Sequence, residues 1–152
     1  MGYASPGGRA TGMVSATWLD EPLITPVINR AAGYVDIRLP MRPNGKTVWI
    51  KSDAAIYSTT PYYIVINTTT THLKLYKDGV LVLNAPAGVG TSIDPTPTGN
   101  FFTAFFANPD GQGYGPWMMM TSAHSTAIQN WSGTGDALVF EIGDCFSQLA
   151  QR

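Results

Sequence analysis

The chain has 152 residues, a formal net charge of -1, 44% apolar residues and only 12% charged ones, with 16 Gly and 11 Pro. That size and apolar content support one core, or one main core with a small satellite module, and exclude a disordered tail. The near-neutral balance excludes a strong generic pull toward nucleic acid or acidic membranes, and the Gly and Pro content favours short strands joined by turns over long helices.

Residues 1–77 hold eight basic and four acidic side chains, whereas residues 78–152 hold Arg152 against six acids. Two modules would give this asymmetry, but isolated charges on solvated loops give it equally and are the simpler account. The single cysteine, Cys145, excludes an internal disulfide. No run approaches the ~18 consecutive apolar residues that span a bilayer. The opening Met1 to Arg9 lacks the charged start and apolar core of a secretion signal, so the chain is expected either to stay inside or to begin within a longer exported protein.

In chain order, residues 1–16 are rich in Gly, Ser and Ala without an apolar period and read as a flexible leader. Short apolar clusters follow at Leu23-Ile24 and Val27-Ile28. In Tyr34–Leu39, Val35, Ile37 and Leu39 alternate with Asp36 and Arg38, the period of a half-buried strand. Asn44-Gly45 suits a type I′ hairpin turn, and Val48-Trp49-Ile50 returns as the partner strand. Trp49 is expected in the core, with a ligand-stacking role as the alternative.

Ser58–Pro61 reads as a linker. Tyr62–Asn67 is predicted as a strand buried on both faces. Leu73 and Leu75 then alternate with His72, Lys74 and Tyr76, and Asp78-Gly79 turns the chain into Val80–Leu83, a strong hairpin signal. Asp94–Gly99 has prolines on both sides of Thr96 and a glycine exit, which makes a stiff loop edge. It would serve either as one wall of a groove for an extended peptide or as a turn that sets strand direction. Phe101–Phe106 and Tyr114–Thr121 are predicted strands, the adjacent Met118, Met119 and Met120 filling strand core. Ser122–Trp131 is expected to form one or two helical turns, and Ala137–Phe140 a last strand.

Several of these features, in this order and spacing, closely resemble the L,D-transpeptidase (YkuD-type) catalytic domain. They are Ile64-Val65-Ile66, Leu73-Lys74-Leu75-Tyr76-Lys77-Asp78-Gly79, Gly88-Val89-Gly90 and Pro95-Thr96-Pro97-Thr98-Gly99-Asn100-Phe101. Tyr114-Gly115-Pro116-Trp117 and Thr121-Ser122-Ala123-His124-Ser125 look like the actinobacterial branch. Gly33-Tyr34-Val35 and Val48-Trp49-Ile50-Lys51 look like a bacterial SH3-like module. The resemblance implies an all-β protein, an incomplete L,D-transpeptidase-type β-sandwich preceded by a small SH3-like β module. The boundaries expected are a leader at 1–16, the SH3-like module at 17–58, the transpeptidase-like part at 61–138 and an unmatched tail at 139–152.

The same resemblance implies peptidoglycan stem peptides as partner, an extracytoplasmic or cell-wall location, a monomer, and neither cofactor nor nucleic acid. Such enzymes transfer an acyl group through a cysteine thiolate, which needs a lowered pKa, a histidine to carry the proton and backbone donors for the oxyanion. The family provides these in "His-x-Gly" and "Ser-His-Gly-Cys-x-Arg" segments, and this chain has neither. The last candidate strand instead runs into Glu141-Ile142-Gly143-Asp144-Cys145-Phe146. Asp144 beside Cys145 opposes the thiolate, so Cys145 is a poor nucleophile and no catalytic residue is assigned. His124 precedes the position of the family's catalytic histidine and is expected to make a structural hydrogen bond, while His72 is expected at a solvated edge. Two His and one Cys show no metal-ligand spacing. Thr96, Pro97, Gly99 and Tyr114 remain as candidate substrate-binding residues. The expected product is a family member whose catalytic end is lost or replaced by truncation or a frame change, with a non-catalytic wall-binding protein as the alternative.

Overall fold

The structure is a computed structural model that describes residues 1–107 and 117–128, and the backbone of 137–142. It is strand-rich, with antiparallel sheets and one short 3-10 turn at Ser52–Ala54 among the described residues. Two compact units are distinguished, one of Met1–Ile56 with the residues from Pro97 onward, the other of Tyr57–Thr96.

The first unit opens with β1 (Gly2–Tyr3) and β2 (Ala10–Gly12), where the composition had suggested a featureless leader. Gly2 is the reason the segment seats so closely: a Cβ there would lie 2.6 Å from the Val48 side chain, so only glycine lets β1 approach. A short hairpin follows, β3 (Thr17–Trp18) and β4 (Glu21–Pro22). Then come β5 (Val27–Ala31), β6 (Tyr34–Arg38) and β7 (Thr47–Lys51), in a five-stranded sheet ordered β2–β1–β7–β6–β5. The alternation in β6 survives intact: Val35 and Ile37 are buried and pack with Val48 and Ile50 of β7, while Val14, Val27, Leu39 and Ala55 close the cluster. Burying such side chains contributes about 1.5–3 kcal/mol each, which makes this cluster the anchor of the sheet.

Trp49 is a correction. It pairs with Asp36 and with Tyr3 across the sheet, so period-2 geometry puts it on the face opposite Val48 and Ile50, half-buried and outside the aliphatic cluster. The turn between β6 and β7 is also corrected. Of Asn44 and Gly45 only Gly45 has positive φ, at 82°, and the Lys46 amide donates to the Pro43 carbonyl at 3.2 Å. A single positive φ at the third position is the mark of type II rather than type I′. Asn44 keeps its backbone out of the left-handed region while its side chain is engaged elsewhere, as described below.

The later part of this unit contains β11 (Thr103–Ala107), β12 (Trp117–His124) and β13 (Ala137–Ile142), in a sheet ordered β11–β12–β13; β8 to β10 belong to the second unit. Met119 and Met120 are buried at 4% and 2% exposure, filling core on successive positions of one strand as expected. Ser122, Ala123 and His124 continue β12 instead of starting a helical turn. Strand pairing decides this: Ser122 donates its amide to the Phe102 carbonyl at 2.9 Å, and its hydroxyl accepts the Phe102 amide at 3.0 Å. The strand expected over Phe101–Phe106 starts two residues later, at Thr103.

The second unit is an antiparallel meander of β8 (Tyr62–Asn67), β9 (His72–Lys77) and β10 (Val80–Pro86), ordered β10–β9–β8. Leu73 and Leu75 of the central strand are buried, and Lys74 points outward. Asp78 and Gly79 both take positive φ, 51° and 80°, so the Asp-Gly turn forms as the residues dictate. The burial expected for β8 is overturned: Tyr62, Tyr63 and Val65 are 48%, 50% and 44% exposed. A wholly apolar run reads like a doubly covered strand, but β8 is an edge strand. Its outer residues rest on cross-strand neighbours instead, with Tyr63 stacked on Tyr76 at 4.6 Å between ring centres.

Candidate functional site

The loop after β10 is held by three local devices. The Gly90 amide donates to Thr96 Oγ1 at 2.7 Å, closing residues 90–96 into a ring. Thr91 Oγ1 accepts the amides of Ile93 and Asp94, each at 3.3 Å, the usual short-range turn of a threonine. Gly90 has no room for a side chain, because a Cβ would lie 2.6 Å from the Thr96 nitrogen. The backbone of 94–96 therefore lies directly on the α-carbon of Gly90. Thr96 is half-buried and its hydroxyl is already an acceptor, so what it can still offer outward is the hydroxyl proton and the backbone.

Pro97 is half-buried, and Gly99 is exposed with φ at 145°, which leaves open the sharp exit into the chain before β11. Tyr114 and Cys145 lie outside the described residues. His72 stands at the end of β9 and donates Nδ1–H to the Thr70 carbonyl at 2.7 Å. No group of three His, Cys, Asp or Glu is placed to hold a metal ion among the described residues, and none of their helices is long and apolar enough to cross a membrane.

The end of β12 concentrates buried polar side chains: Thr121, Ser122, His124 and Ser125 are each 5% exposed or less. Their environment is made from residues some 80 positions earlier. The Asn44 side chain donates Nδ2–H to the His124 carbonyl at 2.8 Å, and its Oδ1 accepts the His124 amide at 2.9 Å, reproducing both bonds of a strand partner. Arg42 Nη2 donates to the carbonyls of Ser125 and, at 3.2 Å, Ile128. Ser125 Oγ in turn accepts the amides of Ala127 and Ile128 at 3.1 and 2.9 Å. Arg38 Nη1 donates to the Asn100 carbonyl at 2.6 Å. Arg42 and Asn44 of the β6–β7 turn thus brace the end of β12, and Arg38 at the end of β6 braces the entry to β11, so the His124 main chain is held from outside its own sheet.

Residues 61–140 match the L,D-transpeptidase catalytic domain family, YkuD. The chain belongs to that family. No curated protein and no solved structure matches it. The matched span includes the β8–β10 meander and the loop closed by Gly90 and Thr96. The brace formed by Arg38, Arg42 and Asn44 comes from outside the matched span. Nothing local in the sequence marks these three residues, since their partners lie 62 to 86 positions away.

Proposed function

We propose that these 152 residues carry the peptide-facing scaffold of a peptidoglycan L,D-transpeptidase and do not themselves perform the acyl transfer. The reading rests on one observation: the family match covers residues 61–140, yet the chain contains no Ser-His-Gly-Cys segment. The inherited role is cell-wall cross-linking outside the cytoplasm, with the stem tetrapeptide as ligand. Thr96, Pro97, Gly99 and Tyr114 are the residues proposed to face that peptide, and Thr96 itself closes the loop from Gly90 by accepting its amide. Cys145 follows Asp144, whose negative charge opposes the thiolate that acyl transfer needs.

Incubation with a donor tetrapeptide followed by intact-mass measurement tests this. The expected spectrum is that of the unmodified chain. An acyl adduct mapped to Cys145 would overturn the inactivity, while leaving the family assignment untouched.

A second reading, a non-catalytic wall-binding protein using an SH3-like module at residues 17–58, draws support from a cavity in the N-terminal sheet to which Trp18 and Trp49 of that module contribute. Retention on purified sacculi at moderate salt is its expected outcome, and complete flow-through would reject it.

A further inference from the structure

A cavity of about 410 Å³ opens in the N-terminal sheet, where Tyr3, Trp18 and Trp49 share the lining with aliphatic Leu23, Leu39 and Val48 and with residues of the segment 11–17 and of the β6–β7 turn. Its volume lies in the ~300–1,000 Å³ range of small-molecule sites. We infer that this cavity is a saccharide site, taking a mono- or disaccharide of acetylated amino sugars and preferring one that carries a carboxylate.

The aromatic walls are held in advance. Tyr3 meets Tyr34 edge-on at 5.3 Å, and Trp18 meets Phe105 edge-on at 6.1 Å, so two of the three rings have a second aromatic fixing their planes. Trp49 stands on the sheet face opposite Val48 and Ile50, directly across from Tyr3 in the neighbouring strand. Fixed rings offer electron-rich faces to the C–H surface of a pyranose and lose little freedom on binding. At the rim Met13 and Met41 are 82% and 43% exposed, pliable apolar side chains suited to an acetyl methyl group. Thr11 and Thr47 add hydroxyls.

The lining contains one cation, Lys46, and no carboxylate, which favours an acidic ligand over a basic one. A single lysine is no footprint for nucleic acid. An extended peptide would need a strand edge, and the edge strand that contributes to the cavity, β2, is three residues long and ends at Gly12 with φ at 131°. The choice of an acetylated amino sugar rests on the wall-directed reading above, whereas the saccharide class stands on the cavity.

Nuclear magnetic resonance of the indole N–H groups in the full chain tests the inference, with N,N′-diacetylchitobiose, a disaccharide containing N-acetylmuramic acid, and the stem tetrapeptide as probes. Both sugars should shift the Trp18 and Trp49 resonances saturably in the millimolar range and leave Trp117 in place. Thr11→Tyr, an exposed change on the cavity wall, should weaken both at least about tenfold. Lys46→Ala should weaken only the acidic sugar, by about two- to fivefold, as expected of an exposed ion pair. Absence of any shift at saturating sugar, shifts caused by the tetrapeptide alone, or a Thr11→Tyr chain that binds like the parent would each overturn it. Parallel sacculus pull-downs separate the two readings. Sugar binding without sacculus retention supports the cavity and rejects the wall role. Retention of both chains without sugar shifts does the reverse.

Discussion

The five-stranded sheet of residues 2–51 and the three-stranded meander of residues 62–86 are built from the same alternating pattern and reach different depths of burial. In the first, the inward residues of two adjacent central strands meet, so Val35 is 0% exposed and Ile37 is 4% exposed. In the second, one central strand supplies Leu73 and Leu75, and both flanking strands keep apolar side chains at the surface. Alternation therefore specifies which face a residue takes, while the position of the strand in its sheet decides how well that face is covered. Ile37→Ala should test this most sharply. It should cost about 3–4 kcal/mol through lost burial and a residual cavity, against less than about 1 kcal/mol for Val65→Ala on the exposed edge strand. Urea unfolding of the two variants measures both. Equal losses would break the contrast and place β8 under a cover that its exposure does not indicate.

A second contrast lies between hydrogen bonds that run along a sheet and those that reach across the fold. Asn44→Ala removes both side-chain bonds to the His124 backbone and leaves a buried strand end with two unpaired groups, a loss of about 2 kcal/mol. Asn44→Asp keeps an acceptor for the His124 amide but has no donor for its carbonyl, so it should fall between the two. Hydrogen exchange at the His124 amide is the direct readout: protection should drop for alanine and be partly retained for aspartate. Undiminished protection in Asn44→Ala would mean that the end of β12 is held without the brace.

These contrasts also show what could be read from the residues alone. The hairpin at Asp78-Gly79, the alternation of Val35 and Ile37, the buried methionines of β12 and the last strand at residue 137 are local matters, fixed by turn chemistry and side-chain period. Edge position is not local, which is why Tyr62–Asn67 was expected to be buried on both faces. Trp49 was expected in the core because an indole in an apolar strand usually is, yet the parity of the strand places it on the other face. Residues 2–12 gave no signal because β1 and β2 are short and Gly2 contributes by what it lacks. The brace was illegible for the same kind of reason, since an Asn in a turn looks like turn chemistry whether or not its amide reaches residue 124. Of the candidate site, the stiffness of residues 94–99 was readable from its prolines; the closure of that loop on Gly90 was not.

Gly90→Ala sharpens the loop's side of the comparison. The added methyl would meet the backbone of residues 94–96, so the ring closed by Thr96 must open. A loss of about 1–2 kcal/mol confined to the loop is expected, near the desolvation and hydrogen-bond cost of one amide. Thr96→Val, which deletes the acceptor and keeps the shape, should reproduce about half of it. Exchange rates of the amides from 89 to 96 should rise in both variants while those of β9 stay unchanged. Acceleration spreading through β9 would show that the loop is part of the meander's cooperative core.

The smallest effect is a gain, and it separates turn chemistry from packing. The two-residue turns at Leu19-Asp20, Ala32-Gly33 and Asp78-Gly79 all place both central residues at positive φ, yet only the last has the sequence expected of it. Ala32, at φ 49°, bears a Cβ in the left-handed region, where a non-glycine residue is disfavoured by roughly 1–2 kcal/mol. Ala32→Asn, whose side chain tolerates that region, should stabilise the chain by about 0.5–1 kcal/mol. Ala32→Gly relieves the same clash but loosens the unfolded chain by about 0.4–1 kcal/mol, so its net gain should be smaller. The residue is exposed and touches none of the core cluster, so thermal unfolding should reveal a shift in midpoint with no change in the exchange protection of Val35 or Ile37 relative to one another. If glycine stabilises more than asparagine, the strain at this turn exceeds what a tolerant side chain relieves, and the turn, not the sheet, limits how β5 pairs with β6.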